Sequence, residues 1–333
     1  MRETITAFVA RHWSVPLEAF TIRTRPVHGG LQSAVTRATI TPAAHEGTAL
    51  PRRLVVKELR GATRRESQVY AWLWDAVERP PTARLLGVDS AGDSDFVYLE
   101  DLTSGVKWPW AETVHAGAVC RELARFHDAP RPPGAMFDWD YERELHSSAE
   151  ETLAVAMSAR DDRGVRYWRG VGALRRVVAA LPVLRAAIRA GGTAVIHGDV
   201  HPGNVILRKG HCGHRVTFID WGRARIGSPL EDIASWLHAL GCWEPQALRR
   251  HDTLLRTYLT NRRSSPQLDA SVRREYRYAS ASNGLAGAIR YHLAVLADPA
   301  ATPRMRGNSR IALTAWERVV RHAAALLSAS RGS

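Results

Sequence analysis

Residues 195–222 read VIHGDVHPGNVILRKGHCGHRVTFIDWG, and they carry the strongest indication of the fold. Two apolar runs of strand type flank a short turn in this stretch. Asn204 stands directly before the first run, Asp220 stands directly after the second, and Asp199 lies five residues before the asparagine. Amide and carboxylate oxygens are the ligands that hard divalent cations prefer. The stretch therefore predicts a strand pair with two oxygen ligands at its ends, Asn204 and Asp220, and with the carboxylate of Asp199 close by.

This set of residues meets the chemical needs of phosphoryl transfer. The reaction needs a carboxylate that orients and deprotonates the attacking hydroxyl, and oxygen ligands that hold Mg²⁺ against the nucleotide phosphates. Asp199 is the candidate catalytic base, and Asn204 and Asp220 are the candidate metal ligands. The alternative is a Gly/Pro loop between strands that carries acidic residues by chance.

The same residues resemble the aminoglycoside phosphotransferase and choline kinase-like family. Its catalytic loop reads H-G-D-x-H-x-x-N, and its metal aspartate lies at a strand end in an I-D-[WF] motif. Residues 197–204 match the first pattern without a gap, and residues 219–221 match the second. The resemblance implies a small-molecule kinase that uses Mg²⁺ with ATP, or with GTP, as the phosphate donor.

Two histidines, His197 and His201, lie inside the loop motif. Because Mg²⁺ prefers oxygen ligands, we interpret both as hydrogen-bond formers that shape the loop. The tract HCGH at residues 211–214 has no second ligand pair in sequence, so a turn between strands explains it better than a metal site. The three cysteines are scattered singly, which is typical of ordinary reduced thiols.

Lysine is rare in this chain, at three of 46 basic residues, and one of the three ends a strand-like run. This lysine is Lys57, and a helical pattern with Glu66 in its first turn follows it. In the kinase-like arrangement a strand lysine binds the α- and β-phosphates and pairs with a helix glutamate. The resemblance implies these roles for Lys57 and Glu66. A surface lysine and a glutamate that favours a helix start are the alternative.

Further nucleotide contacts are predicted in two loops of the first hundred residues. Gly29 and Gly30 form a turn between two predicted strands, where backbone N–H groups could approach a phosphate and Ser33 could donate a further hydrogen bond. An ordinary hairpin is the alternative. By similarity to the family, the segment LEDLTSG is a hinge, in which the Glu100 carbonyl and the Leu102 amide would bind adenine.

The fold predicted for the whole chain is a two-lobed α+β, protein-kinase-like fold. At 333 residues the chain exceeds one compact core. We expect residues 1–102 to form a nucleotide-binding lobe, with a five-stranded antiparallel sheet and one major helix. Residues 103–333 would form a mainly helical lobe with the catalytic loop, the metal site and the acceptor region, including a helix over 165–190 that is interrupted near Pro182.

Asp232 begins an apolar helix after the second motif. In the family, an aspartate in G-x-P-x-x-D-[LI]-A supports the catalytic loop through backbone N–H groups, and the resemblance implies this role for Asp232. An ordinary acidic residue in the first turn of a helix is the alternative.

Charge and hydropathy limit the classes of partner. The formal charge of +13 comes almost entirely from arginine, which a coding bias explains as well as nucleic-acid binding does. The arginines are spread through every predicted element, so we expect no nucleic-acid partner. No run of eighteen apolar residues and no signal-peptide pattern occurs, so we expect a cytoplasmic protein without membrane contact. The sequence gives no indication of the oligomeric state.

The acceptor is the least defined part of the prediction. Residues 138–162 hold eight Asp or Glu, which form either a solvated helix face or a wall that receives a substrate amine. Residues 236–333 hold six acids against fifteen arginines. This balance favours a neutral acceptor, such as a nucleoside, macrolide or sugar-containing antibiotic, over a polycation. A metabolite kinase for a sugar or an amino alcohol is one alternative, and a nucleotide-binding pseudokinase is another.

Overall fold

The computed structural model describes residues 1–27, 33–43, 50–102, 108–132, 137, 139–160, 168–210 and 213–329. Within these residues the chain forms two compact units. The first unit contains residues 1–102, Pro132 and residues 217–223, as far as they are described. The second contains residues 108–131, 137–216 and 224–329, to the same extent. The lobe boundary predicted between residues 102 and 103 stays a prediction.

The first unit is built on a five-stranded antiparallel sheet with the strand order β1-β2-β3-β5-β4. β-branched and aromatic residues are frequent in these strands, and they favour extended backbone because they pack well on a pleated surface. The strands are β1 Phe20–Pro26, β2 Ala34–Pro42, β3 Arg53–Arg60, β4 Leu85–Ala91 and β5 Ser94–Glu100.

One face of this sheet is covered by the first helix, α1 Arg2–Trp13. Leu54 and Val56 of β3 are fully buried in the core that α1 forms with the sheet. Phe8 of α1 stacks on Tyr98 of β5, with 3.5 Å between the ring centroids. The apolar residues of α1 therefore determine which side chains of β3 are buried against the helix.

The opposite face of the sheet carries the second helix, α2 Arg65–Ala76. Because successive side chains of a strand point to opposite faces, Lys57 projects away from the core that holds Val56. Lys57 contacts Glu66 in the first turn of α2. The strand period and the start of α2 thus bring the lysine and the glutamate together.

Residues 217–223 join the first unit through backbone and side-chain contacts. The Phe218 amide donates to the Pro81 carbonyl at 2.7 Å, and Phe218 forms a parallel β-bridge with Thr82. The indole N–H of Trp221, a fully buried residue, donates to the Thr82 hydroxyl at 3.0 Å. These contacts attach residues 217–223 to the segment that precedes β4.

The second unit is mainly helical. Its helices are α3 Thr113–His127, α4 Tyr141–Ser158, α5 Val171–Ala179, α6 Leu181–Ala190, α7 Pro229–Trp243, α8 His251–Asn261, α9 Ala270–Asn283, α10 Ile289–Ala297 and α11 Pro303–Ala329. Two short strands, β6 Ala194–Ile196 and β9 Arg225–Gly227, pair antiparallel. A second pair consists of β7 Val205–Gly210 and β8 Gly213–Phe218, whose last two residues belong to the first unit.

Proline sets two of the helix starts in this unit. The interruption predicted near Pro182 is a break between α5 and α6, and Pro182 occupies the first turn of α6, where its missing N–H leaves no bond unmade. Pro229 is the first residue of α7. Ser228 and Glu231 form a capping box there, since the Glu231 carboxylate accepts the Ser228 amide at 3.1 Å. The capping box fixes the position of Asp232 along the helix.

Among the helices of the described residues, none combines the length and the apolar character that a bilayer crossing requires.

Candidate active site

Lys57 lies between two carboxylates of the first unit. Its Nζ atom is 2.7 Å from Glu66 Oε2 and 2.6 Å from Asp220 Oδ1. The side chains of Lys57 and Glu66 are 9% and 1% exposed, whereas that of Asp220 is 51% exposed. The structure therefore brings together three residues that the sequence singled out, and only one of the three is open to solvent.

The backbone around Asp220 is held by the first turn of α2. Glu66 accepts a hydrogen bond from the Trp221 amide at 3.0 Å, and the Arg65 guanidinium donates to the Gly222 carbonyl at 2.9 Å. Asp220 itself has a φ of 65°, a left-handed conformation that only a few per cent of non-glycine residues adopt. Such a conformation persists where its surroundings fix it, and functional sites are common places for it.

Attraction between opposite charges shifts the pKa values of this cluster. Burial lowers the pKa of Lys57, but the attraction of Glu66 and Asp220 outweighs it, and the pKa is raised overall. Burial also raises the pKa of Glu66, against the opposing attraction of Lys57. Lys57 thus pairs with one buried carboxylate and with one carboxylate that is open to solvent. An exposed carboxylate is an oxygen ligand of the kind that hard divalent cations prefer.

The other residues predicted to contact the nucleotide lie at the ends of strands in the same sheet. Val35 of β2 pairs with Lys57, so Ser33 lies just before the part of β2 that runs beside the lysine. Glu100 ends β5, three residues beyond Val97, the β5 partner of Lys57, and thus about 10 Å along the strand. Leu102 follows Glu100 as a half-buried loop residue. The predicted Gly29 and Gly30 lie outside the described residues.

The catalytic-loop motif lies in the second unit and is attached to α7 through one carboxylate. Asp232 is fully buried, and its two oxygens accept the His197 amide at 2.7 Å and the Gly198 amide at 2.8 Å. Burial raises the pKa of Asp232, but its contacts with His127 and with the loop amides outweigh this and lower it. The ionised carboxylate thus fixes the backbone that leads into Asp199.

Asn204 connects the two ends of the same loop. Its Nδ2 atom donates to the Asp199 carbonyl at 3.0 Å and to Asp199 Oδ2 at 3.3 Å. The Asp199 side chain is 41% exposed. Because the Asn204 nitrogen is engaged, its amide oxygen is the atom that remains for a cation. The loop thus holds one accessible carboxylate and one oriented amide oxygen.

The two loop histidines make short local contacts with the backbone. His197 Nδ1 accepts the Asp199 amide at 3.3 Å, and His201 Nδ1 accepts the Gly203 amide at 3.1 Å. His201 Nε2 is 3.9 Å from Asp199 Oδ2, which is too long for a hydrogen bond. Both rings contact loop amides in this structure.

The candidate metal ligands fit magnesium by their chemistry. They are an amide oxygen on Asn204 and a half-exposed carboxylate on Asp220, and Mg²⁺ typically takes one or two such protein ligands together with waters and phosphate oxygens. Within the described ranges, no group of three His, Cys, Asp or Glu side chains is arranged to hold a metal. A site for a softer metal is thus not found there.

A comparison with protein families identifies the chain. The model of the phosphotransferase enzyme family matches residues 43–278, which is well over half of the sequence. The chain belongs to this family. The protein is a small-molecule kinase that acts on hydroxyl groups. A search of curated protein sequences found no match.

Solved structures similar to this phosphotransferase have the same fold at low sequence identity. A choline kinase from Cryptosporidium parvum is 12% identical with a TM-score of 0.60, over 97% of this chain and 96% of that one. An aminoglycoside phosphotransferase from Alicyclobacillus acidocaldarius is 16% identical with a TM-score of 0.55, over 94% and 92%. One from Streptomyces rimosus, in complex with ADP and streptomycin, is 17% identical with a TM-score of 0.53, over 86% and 99%. The predicted α+β, protein-kinase-like fold is confirmed.

Sequence reasoning did not find the residues of this phosphotransferase that lie behind Asp232. His127 Nε2 contacts Asp232 Oδ2 at 3.0 Å, and His127 Nδ1 contacts the Tyr258 hydroxyl at 2.8 Å. Arg262 donates to the same hydroxyl at 2.8 Å and forms an ion pair with Asp128. The one available signal was a His-Asp pair at the end of an amphipathic helical pattern, where a polar residue needs a partner if it is buried.

Proposed function

We propose that this phosphotransferase transfers the γ-phosphate of ATP to a hydroxyl of a neutral small molecule, and that the acceptor is an antibiotic. The observation that carries the proposal is the contact of one buried lysine with a helix glutamate and an exposed aspartate, Lys57 with Glu66 and Asp220. Kinase-type phosphoryl transfer uses this pairing to steady the nucleotide phosphates. The ADP bound by the Streptomyces rimosus enzyme supports an adenine nucleotide as donor.

In this proposal Asp199 is the catalytic base. Its side chain is accessible, and Asn204 Nδ2 donates to one of its oxygens, which limits the rotation of the carboxylate. Asp199 would accept the proton of the acceptor hydroxyl as that oxygen attacks the γ-phosphorus in line with the leaving group. Asp232 contributes by fixing the loop backbone before Asp199, with His197 and His201 supporting the loop through the amides that they accept.

Asn204 and Asp220 would each supply an oxygen ligand to Mg²⁺. The bound ion would neutralise the negative charge of the phosphate oxygens. Lys57 would bind the oxygens of the α- and β-phosphates, because its ammonium stays charged beside two carboxylates. Glu66 would hold the lysine in place. The ends of the neighbouring strands, at Ser33 and at Glu100 and Leu102, are the proposed contacts for phosphate and adenine, together with Gly29 and Gly30.

The ion pairs of α4 favour a neutral acceptor. Glu142 forms ion pairs with Arg185 and Arg189, and Glu151 forms one with Arg290. These acids belong to the segment that could otherwise have received a substrate amine. Because arginines already neutralise them, they offer less attraction to a polycation. A nucleoside, a macrolide or a sugar-containing antibiotic is the acceptor class that fits.

The test is ATP consumption by the purified protein with panels of hydroxyl compounds. We expect turnover with neutral antibiotics, and little with aminoglycosides, choline or simple sugars. Replacing Asp199 with Asn should lower kcat by about 10²- to 10⁴-fold while nucleotide binding is kept. GTP in place of ATP measures the donor preference.

Three outcomes would count against parts of the proposal. Turnover with polyamines alone would reverse the assignment of acceptor charge. Turnover with sugars or amino alcohols alone would make the protein a metabolite kinase. Tight nucleotide binding without phosphotransfer to any acceptor would make it a pseudokinase.

A further inference from the structure

A cavity lies among the helices of the second unit. It has a volume of about 300 Å³, at the lower end of the range for small-molecule sites. Helices α7, α8, α9 and α11 contribute to its wall. The residues that matter for its chemistry are His238, His251, Asp252, Arg273, Tyr276 and Arg277.

This cavity is separate from the residues that support the catalytic loop. An α-helix rises 1.5 Å per residue, so His238 lies about 9 Å beyond Asp232 along α7. On α8, Asp252 lies about 9 Å before Tyr258. Neither Asp232 nor Tyr258 lines the cavity. A ligand here would therefore occupy a place of its own.

The wall offers more hydrogen-bond donors than acceptors. The Nε2 atom of His238 is buried and makes no hydrogen bond within the described residues. Asp252, the carboxylate of the wall, already forms an ion pair with Arg273 at 3.2 Å. The Tyr276 hydroxyl is bonded to His251 Nε2. Arg277 has no ion-pair partner in the part of the chain that the structure describes.

A metal ion does not suit this wall. Three histidines line it, but no set of His, Cys, Asp or Glu in the described ranges has the arrangement of a metal site. Guanidinium groups repel cations, whereas they bind the paired oxygens of phosphate and carboxylate in a fork geometry. The excess of donors thus selects a ligand that is rich in acceptor oxygens.

We propose that this cavity binds a small oxyanion, the phosphate or carboxylate group of a small molecule, through His238 and Arg277. The oxyanion would accept hydrogen bonds from His238 Nε2 and from the Arg277 guanidinium. It would also add negative charge to a wall in which Asp252 stands with two arginines of α9, Arg273 and Arg277.

The state of His238 supplies a direct readout. Burial, followed by the repulsion of His251, lowers the pKa of His238 to about 3. A bound anion favours the imidazolium, so it would raise this pKa. The titratable groups that line the cavity with His238 are His251 and Asp252 of α8, Arg273, Tyr276 and Arg277 of α9, and His322 of α11. Of these, His251 and Tyr276 lie against the His238 ring.

The experiment is a titration of the full-length protein, labelled at histidine, with inorganic phosphate, followed by NMR. His238→Gln identifies the His238 resonance. We expect a saturable shift of that resonance with phosphate and none with matched chloride. Acetate in a parallel titration distinguishes a phosphate site from a carboxylate site.

A matched pair of arginine variants tests the recognition. Arg277→Gln should weaken oxyanion binding about tenfold or more, the effect of one hydrogen bond to a charged group. Arg274→Gln removes the same charge from an exposed neighbour on α9 that does not line the cavity, so it should leave the affinity unchanged. Equal weakening in both variants, or no saturable shift with either anion, would overturn the proposal. Neither outcome depends on phosphotransfer.

Discussion

Lys57 shows why a lysine is kept at this position in a chain whose basic residues are mostly arginine. Its ammonium fits between Glu66 and Asp220 with contacts of 2.6–2.7 Å from a single nitrogen. A guanidinium is planar and larger, and it directs its donors as a fork. The pocket thus demands a compact point charge, which the sequence bias alone would not provide.

Replacing Lys57 with Met should lower kcat/KM by about 10²- to 10³-fold, because the variant keeps the apolar stem but loses the donor to the phosphates. The measurement is steady-state kinetics with ATP. Lys209→Met is the matched control, since Lys209 is an exposed residue of β7. The role assigned to Lys57 fails if both variants retain the wild-type kcat/KM.

His238 should make the free energy of unfolding depend on pH. The pKa of His238 is about 3 in the folded protein, against an ordinary value of 6.5. Below pH 6.5 this histidine is therefore protonated in the unfolded chain but stays neutral in the folded chain. The free energy of unfolding therefore decreases as the pH falls, and His238 contributes at most about 1.4 kcal/mol per pH unit to that decrease. His238→Gln should remove that part of the slope between about pH 6 and pH 5 in phosphate-free urea titrations.

The control for this prediction is His322→Gln, because His322 is exposed. The remaining buried histidines keep some slope in both variants, so only the difference between the variants is informative. Identical slopes for His238→Gln and His322→Gln would contradict the prediction.

At the scale of elements, the start of α7 holds the catalytic loop. The carboxylate of Asp232 accepts two loop amides, whereas an asparagine could accept through only one atom. In Asp232→Asn we expect the amides of His197 and Gly198 to exchange with deuterium about 10- to 100-fold faster, the equivalent of one or two lost hydrogen bonds. Hydrogen-exchange mass spectrometry measures this change together with kcat.

Asp269→Asn is the control for the loop experiment. Asp269 also accepts a backbone amide at a helix start, but it caps α9 at an exposed position. Unchanged exchange in the loop of Asp232→Asn, or equal acceleration there in Asp269→Asn, would refute the support role of Asp232.

Local patterns predicted the elements that carry the candidate site. β3 and α2 followed from strand and helix periodicity, and the break near Pro182 followed from proline chemistry. The contact of His127 with Asp232 and Tyr258 could not be predicted in this way, because more than a hundred residues separate each pair. Side-chain periodicity reports which face is buried, not which distant residue it meets.

At the scale of the whole molecule, the positive charge of the chain is partly neutralised by internal pairing. Arginines of α6 and α10 form ion pairs with glutamates of α4. The buried Glu231 forms ion pairs with both Arg185 and Arg225. Nucleic-acid binding needs arginines and lysines that are clustered and available to phosphates. The arginines of these pairs are not available in that way.

We therefore expect no saturable binding to random duplex DNA at physiological ionic strength. Fluorescence anisotropy of a labelled duplex, measured over a range of salt concentrations, checks this. Binding that weakens steeply with salt would show that enough arginines are free to contact phosphates, and would restore a nucleic-acid partner.

The acceptor is the property of the whole molecule that sequence reasoning defined least. The loop motif is read from eight consecutive residues, so it appears in the sequence intact. An acceptor pocket draws single side chains from several helices, and Trp243 and Tyr291 illustrate the difficulty. Aromatic residues are mostly buried, so both would be assigned to a core by default, yet they are 52% and 55% exposed.

The contrast between Lys57 and Lys209 has a practical consequence for labelling. An amine-acylating dye that approaches from solvent would modify Lys209 in preference to Lys57, which is shielded on all but a small part of its side chain. A reactive acyl-phosphate analogue of the nucleotide would reverse that order if it seats against the shielded amine. With so few amines in the chain, the ratio of the two adducts would report directly on occupancy of the nucleotide site.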